Sequence, residues 1–369
     1  MDTNKTNVRC SLQREPDFEG KQRCAATKCR GQLPRPYAAG SVFMLMSEGR
    51  KVIWMCSVVL LYLLLIHTAG AQFPTDLSHF DYDSNAELNV KELSVVERNG
   101  VMIHELIYTS PRGGAVPAYV VVPGAKGKFA GIVWGHWMMP KSPTANKTEF
   151  LTEAIALAPT GVVSILIDSP HVRPGFKEDP DPFSSQDSDV VAQQVTDLRR
   201  ALDLLLSRDD VDPKRIAYVG HSFDASCGAI LDAVDKRFAA FVFMGNPQST
   251  RDFVLNSTSP NMVAFRNSVP VGKLEHYLDT HEWADPGAYA ARLGPAPALF
   301  QYATHDAFVA VASAKHYFDI SSGPKEIKFY ESSHALNADA RRDRIDYLRR
   351  HLSLSEMAAE VLEKIPEMK

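Results

Sequence analysis

Cysteine is scarce where this chain can build a core. Of five cysteines in 369 residues, Cys10, Cys24, Cys29 and Cys56 precede residue 71, and only Cys227 follows it. A disulfide framework is thereby excluded for the larger part of the chain. The Cys24/Cys29 spacing lacks the second pair that a structural zinc site needs. An excess of basic residues is missing too: Lys+Arg is 40 against Asp+Glu 44, a formal net charge of −4. With no basic stripe carrying interleaved aromatics, nucleic acid is not the expected partner. Internal repeats are absent, which excludes solenoids and propellers. No apolar run reaches the ~20 residues that a bilayer span requires. What is left is an ordinary globular composition with 23% charged residues, enough for one large α/β domain or two small ones.

The strongest apolar run is Val52–Ile66, preceded by Arg50-Lys51 and followed by Ala69-Gly70-Ala71. Positive flank, short apolar stretch and small-x-small site make a secretory signal peptide. Met44 or Met46 gives it a normal start, and residues 46–71 are assigned to the signal peptide, with cleavage expected after Ala71. Residues 1–45 are polar and without period, and read as disordered or as an over-long start assignment. The mature chain, 72–369, is expected to be a single domain, secreted or periplasmic, with no stable membrane span after cleavage. At roughly 300 residues it buries about three quarters of its surface and can stand without disulfides. Two sequons, Asn146-Lys-Thr148 and Asn256-Ser-Thr258, carry meaning only in a eukaryotic secretory route.

Short β-rich runs at Leu93–Glu97, Val101–Thr109 and Pro117–Pro123, with glycine-containing turns between them, predict antiparallel hairpins. Buried strands then alternate with helices. Strands are predicted at Gly131–Gly135, Val162–Ile167, Ala240–Met244, Ala298–Ala303 and Glu326–Tyr330. Helices are predicted at Glu149–Ala158, Val190–Leu206, about Val309 to Phe318, and Ala338–Leu352, with a more exposed one over Leu354–Glu367. Residues 246–297, rich in Pro, Asn and Ser, interrupt the alternation in the manner of a cap. This pattern predicts an α/β fold: a mostly parallel sheet covered on both faces, with functional loops at the carboxyl ends of its strands.

The stretch Arg215-Ile-Ala-Tyr-Val-Gly-His-Ser-Phe-Asp-Ala-Ser226 runs from an apolar strand through glycine and serine into a small-residue helix. This is the pattern of a nucleophile elbow, which lifts a serine hydroxyl above the sheet. Gly220 sits where a crowded turn excludes a side chain. The fifth position of the motif is Asp224 rather than glycine, either a helix-capping acid or a residue that narrows the helix–strand contact. Ser222 needs a base and the base an orienting acid, in the order Ser, Asp/Glu, His, each just after a late strand. Asp306 and His334 occupy those places. Each also has a plainer reading, Asp306 as a helix cap and His334 as a solvated loop residue. His305 is expected to be structural, and Cys227 to be packing. No cofactor and no metal is called for, since no ligand cluster of metal spacing is visible.

From about Ala115 to Leu352 the chain resembles the α/β-hydrolase superfamily. Within it, the chain is similar to dienelactone-hydrolase-like and prolyl-oligopeptidase-like serine hydrolases. The resemblance rests on the elbow, on Val195–Asp203 and Asp210–Ile216 before it, and on Asp285-Pro-Gly-Ala-Tyr289 before Pro295-Ala-Pro297. It implies an oxyanion hole made by the amide of Phe223 and one from the loop Trp134-Gly-His-Trp-Met-Met-Pro140. The familiar His-Gly-x order is swapped here to Gly135-His136, and the second amide is carried to Trp137. His136, Met138 and His221 are expected around the substrate. His171 and Arg173, just after a core strand, are either an anion-recognising pair or a solvated loop. The implied activity is hydrolysis of a small-molecule carboxylic ester through an acyl-enzyme. Peptide hydrolysis of the oligopeptidase type and non-catalytic binding on the same fold are the alternatives, and nothing in the sequence sets an oligomeric state.

Overall fold

The computed structural model describes residues 76–139 and 141–366, all within one compact unit, Ala71–Lys369. The signal peptide, its cleavage after Ala71, the 1–45 extension and the four early cysteines lie outside the described residues. Nine strands form a single sheet: β1 (Lys91–Arg98), β2 (Val101–Thr109), β3 (Ala115–Pro123), β4 (Phe129–Gly135), β5 (Val162–Ile167), β6 (Val211–His221), β7 (Ala240–Met244), β8 (Ala298–Ala303) and β9 (Lys325–Tyr330). Their spatial order is β1-β2-β3-β5-β4-β6-β7-β8-β9. The first three are antiparallel, β3 meets β5 antiparallel, and every pair from β5 to β9 is parallel. Chain order reverses at the β5-β4-β6 step, so the loops after β4 and β6 meet at the carboxyl edge, the usual place for a site in an open α/β sheet.

The central strands are buried on both faces and therefore read as continuous apolar runs rather than as alternation. Their side chains still divide by parity. Ile216 and Tyr218 of β6, with Phe241 and Phe243 of β7, enter one core; Ala217, Val219, Val242 and Met244 enter the other. The first core is closed by α2 (Gln186–Leu206) and α3 (Phe223–Val234), with α2 contributing Val195, Leu198, Leu202 and Leu205 as its spacing predicts. The second is closed by α1 (Leu151–Leu157), which supplies Ala154 and Leu157, and by the long C-terminal helix Ala338–Leu352.

Residues 246–297 hold three short helices, α4 (Thr250–Asn256), α5 (Pro260–Ser268) and α6 (Val271–Thr280), followed by two 3₁₀ segments. Val254, Leu274, Tyr277 and Leu278 form a separate small cluster there. Then come α7 (Val311–Ile320) and α8 (Ala338–Leu352). The helix expected over Leu354–Glu367 is shorter than its composition suggests: only α9 (Ala359–Glu363) is helical, and it buries no side chain. Its Leu362 is half-buried against the second core, and so small an apolar face gives a helix little tertiary support.

Candidate active site

Ser222 stands between β6 and α3 with φ 54° and ψ −109°, a conformation rare for a residue with a side chain. Backbone strain of this kind costs on the order of 1–3 kcal/mol and is held by surrounding structure. The Ser222 N–H donates to the Met244 carbonyl at 2.7 Å, tying the turn to β7. A Cβ on Gly220 would lie 2.4 Å from the Asp224 carbonyl oxygen, so only glycine fits where helix and strand cross.

His334 follows β9, and its Nδ1 is 2.7 Å from Asp306 Oδ2, with both side chains buried. The other carboxylate oxygen, Oδ1, accepts the N–H groups of Phe308 and Val309 at 2.8 and 3.2 Å. Asp306 thus caps the following turn and holds a hydrogen bond to the histidine at once. An Nδ1–H directed at the carboxylate leaves Nε2 of His334 with the free lone pair. Behind the ring stands Gly245 (φ +63°), where a Cβ would come within 2.9 Å of His334 Cε1.

Ser222, Phe223, Met138, His171 and His334 line one cavity of about 500 Å³. Its far wall comes from the loop before α2 and from the 246–297 insertion, which contribute Phe176, Phe253, Met262, Phe265 and Tyr277. Glu178, Asp179, Asp181 and Asp187 also line it, whereas no lysine or arginine does among the described residues.

Several expected site residues are placed elsewhere. The Trp137 N–H donates to the buried Glu149 Oε2 at 2.6 Å, so this amide is committed and does not serve an oxyanion. The next residue along the loop, Met138, is the one that reaches the cavity. His136 is a loop brace: its Nδ1 is 2.7 Å from the Trp137 carbonyl, and its Nε2 accepts the Ser169 N–H at 3.0 Å. Burial pushes it down to about 4, which keeps it neutral. His221 is fully buried between Glu149 and the His334 carbonyl and has no face on the cavity. Arg173 is turned inward, paired with Asp197 at 2.7 Å and donating through Nε to the Asp168 carbonyl. It is neither anion receptor nor solvated loop. His171 does line the cavity, edge-on to Phe223 at 5.3 Å, but burial pushes it down to about 4, so it meets a ligand as a neutral ring.

Asp224 is no surface cap. It is buried, accepts from Gln194 Nε2 at 2.8 Å and Ser169 Oγ at 3.1 Å, and fills the space beside Gly135, where a Cβ would fall 2.5 Å from its own. Burial pushes its carboxyl up to about 7. His305 is exposed, 3.6 Å from Glu331, and takes no part in the site. Glu149, a buried carboxyl that sequence reading passed over, lies just before α1.

No model of a known protein family matches the chain, and no curated protein matches it. Among solved structures, the acetyl xylan esterase from Paenibacillus sp. R4 superposes with a TM-score of 0.60 at 20% identity, over 73% of this chain and 91% of that one. Acetyl xylan esterase 1 from Thermoanaerobacterium sp. JW/SL YS485 gives 0.59 at 14% identity, over 74% and 91%. A 2,6-dihydroxy-pseudo-oxynicotine hydrolase gives 0.51 at 16%, over 68% and 67%. These neighbours are esterases and hydrolases, and the likeness establishes the α/β-hydrolase fold. Among the described residues no helix is long and apolar enough to cross a membrane.

Proposed function

We propose that the chain is an exported serine hydrolase that cleaves carboxylic esters through an acyl-enzyme. One observation carries this reading: a strained Ser222 shares a cavity with His334, whose Nδ1 is held by the buried Asp306 at 2.7 Å. His334 Nε2 takes the Ser222 proton as Oγ attacks the ester carbonyl carbon. The carbonyl π electrons move to oxygen, giving a tetrahedral oxyanion, while Asp306 stabilises the imidazolium. The amides of Phe223, at the head of α3, and of Met138 are the donors assigned to that oxyanion, Met138 taking the place first given to Trp137. Collapse expels the alcohol, which receives the proton from His334. Water, deprotonated by His334, then attacks the acyl-Ser222 carbonyl and releases the acid.

The cavity narrows the substrate. Its size and aromatic wall exceed what an acetyl group fills, which favours a bulky apolar acyl or alcohol portion. Four carboxylates and no cation on the lining disfavour an ester that carries negative charge. That Arg173 is sequestered by Asp197 points the same way.

The test is hydrolysis of p-nitrophenyl esters of increasing chain length by the protein and by Ser222→Ala, with fluorophosphonate labelling alongside. Activity and labelling that both vanish in a folded Ser222→Ala support the reading. A folded wild-type protein that neither labels nor hydrolyses any ester sinks it, and labelling without ester turnover moves the substrate to peptides.

A further inference from the structure

The carboxyl of Glu149 has no task in the acyl-transfer steps, yet it is completely buried beside the site. Its Oε2 accepts the Trp137 N–H at 2.6 Å, and its Oε1 is 2.5 Å from Nδ1 of His221. His221 in turn has Nε2 3.0 Å from the carbonyl oxygen of His334. The His221 ring lies between those of Trp137 and His334, at centroid distances of 5.1 and 5.2 Å. One buried pair therefore touches the three segments whose relative placement sets the chemistry: the loop carrying Met138, the elbow at Ser222, and the loop carrying His334.

Hydrogen-bond valence fixes the proton count of the pair. A carbonyl oxygen only accepts, so His221 Nε2 must carry hydrogen. Nδ1 is then a lone pair facing Oε1 if the ring is neutral, and Oε1 must hold the proton that joins them. The alternative, imidazolium with carboxylate, puts two charges in a fully buried site. Burial raises the Glu149 carboxyl well above its usual range and pushes His221 down to about 4, both favouring the neutral arrangement.

We propose that Glu149, as a neutral acid acting through His221, is a positioning residue that locks the oxyanion loop, the nucleophile elbow and the histidine loop in one arrangement. This rests on the ester-hydrolase reading above. Glutamine is the isostere of the protonated acid: its carbonyl accepts from the Trp137 N–H and its amide donates to His221 Nδ1. Leucine keeps the approximate volume and makes neither bond.

The experiment compares Glu149→Gln and Glu149→Leu for kcat, KM, the pH profile of kcat, urea midpoint, and hydrogen exchange at the Trp137 amide. Glu149→Gln is expected within about threefold of wild type in kcat, with an unshifted pH profile. A folded Glu149→Leu is expected to lose at least tenfold in kcat with KM little changed, since one oxyanion donor is worth about 10²–10³ in rate, and to expose the Trp137 amide to exchange. Wild-type kcat in a folded Glu149→Leu overturns the positioning role. A folded Glu149→Gln that loses tenfold or more overturns the neutral-acid form, and carries the test alone if the leucine variant does not fold. If the wild-type protein hydrolyses no ester, the functional reading fails, while exchange at Trp137 in the folded variants still judges the lock: an amide equally protected without the Glu149 carboxyl refutes it.

Discussion

Replacing Asp224 by asparagine isolates what it costs to keep a carboxyl inside the elbow. Burial pushes this group up to about 7, even though Gln194 and Ser169 donate to it; in the unfolded chain it titrates near its ordinary 3.8. Between those two values the folded protein binds the proton and the unfolded chain does not, so stability falls as pH rises. The slope is about 1.4 kcal/mol per pH unit. The stabilising contribution is complete below about pH 4 and is lost as pH climbs through about 7; from about pH 5 to about pH 7, where the slope is already flattening, the loss amounts to roughly 2 kcal/mol. Asparagine does not titrate. The buried histidines and Glu149 are common to both proteins and cancel in the difference. Urea unfolding followed by tryptophan fluorescence, at intervals between about pH 5 and about pH 8, should show the stability of wild type relative to Asp224→Asn declining by roughly 2.5 kcal/mol and levelling off above about pH 7. A difference that stays constant across that range would refute the reasoning, because it would mean that the carboxyl ionises in the fold as readily as in the unfolded chain.

Arg173→Leu strands the buried Asp197 without its partner and should cost about 3–5 kcal/mol in urea unfolding; because Arg173 does not line the cavity, kcat should hold, and a stable variant with altered kcat would show the arginine engaged with substrate after all. Among matched esters that differ only in a terminal group, kcat/KM should run cationic above neutral above anionic, with the spread narrowing as salt is raised from about 0.02 M to about 0.5 M; preference for the anionic ester would contradict the charge of the mouth.

Much of this arrangement is legible in the sequence because it is local. Ser222, Asp306 and His334 each follow an apolar strand within a few residues, and a strand end fixes where its next side chains emerge. Gly220 is legible for the same reason, since the crowding it relieves comes from Asp224, four residues on. What escaped depends on partners distant in sequence. Trp137 looks like an amide donor until Glu149, twelve residues on, takes its N–H. Arg173 reads as exposed because Asp197, its partner, lies within α2. Asp224 has the look of a cap in the first turn of a helix, and only the closeness of α3 to β4, felt at Gly135, shows that this helix end is interior. Histidines are the least legible group: His136, His171 and His221 each stand at or just after the end of a core strand, yet one braces a loop, one faces the cavity and one is sealed beneath it.

The separate apolar cluster of the 246–297 segment has a consequence for how such a chain can diversify. Val254, Leu274, Tyr277 and Leu278 pack with one another and with neighbours such as Phe183 and Phe265, apart from the two cores that flank the sheet. Substitutions at Leu274 and Leu278 leave the two cores flanking the sheet untouched, whereas Phe253, which packs on the cluster, stacks with Phe308, itself 4.8 Å from the His334 ring. The same segment supplies Phe253, Met262 and Tyr277 to the cavity wall. Heritable variation at Met262 or Tyr277 can therefore reshape the chamber while the sheet cores stay as they are, whereas a change at Phe253 reaches His334 through Phe308.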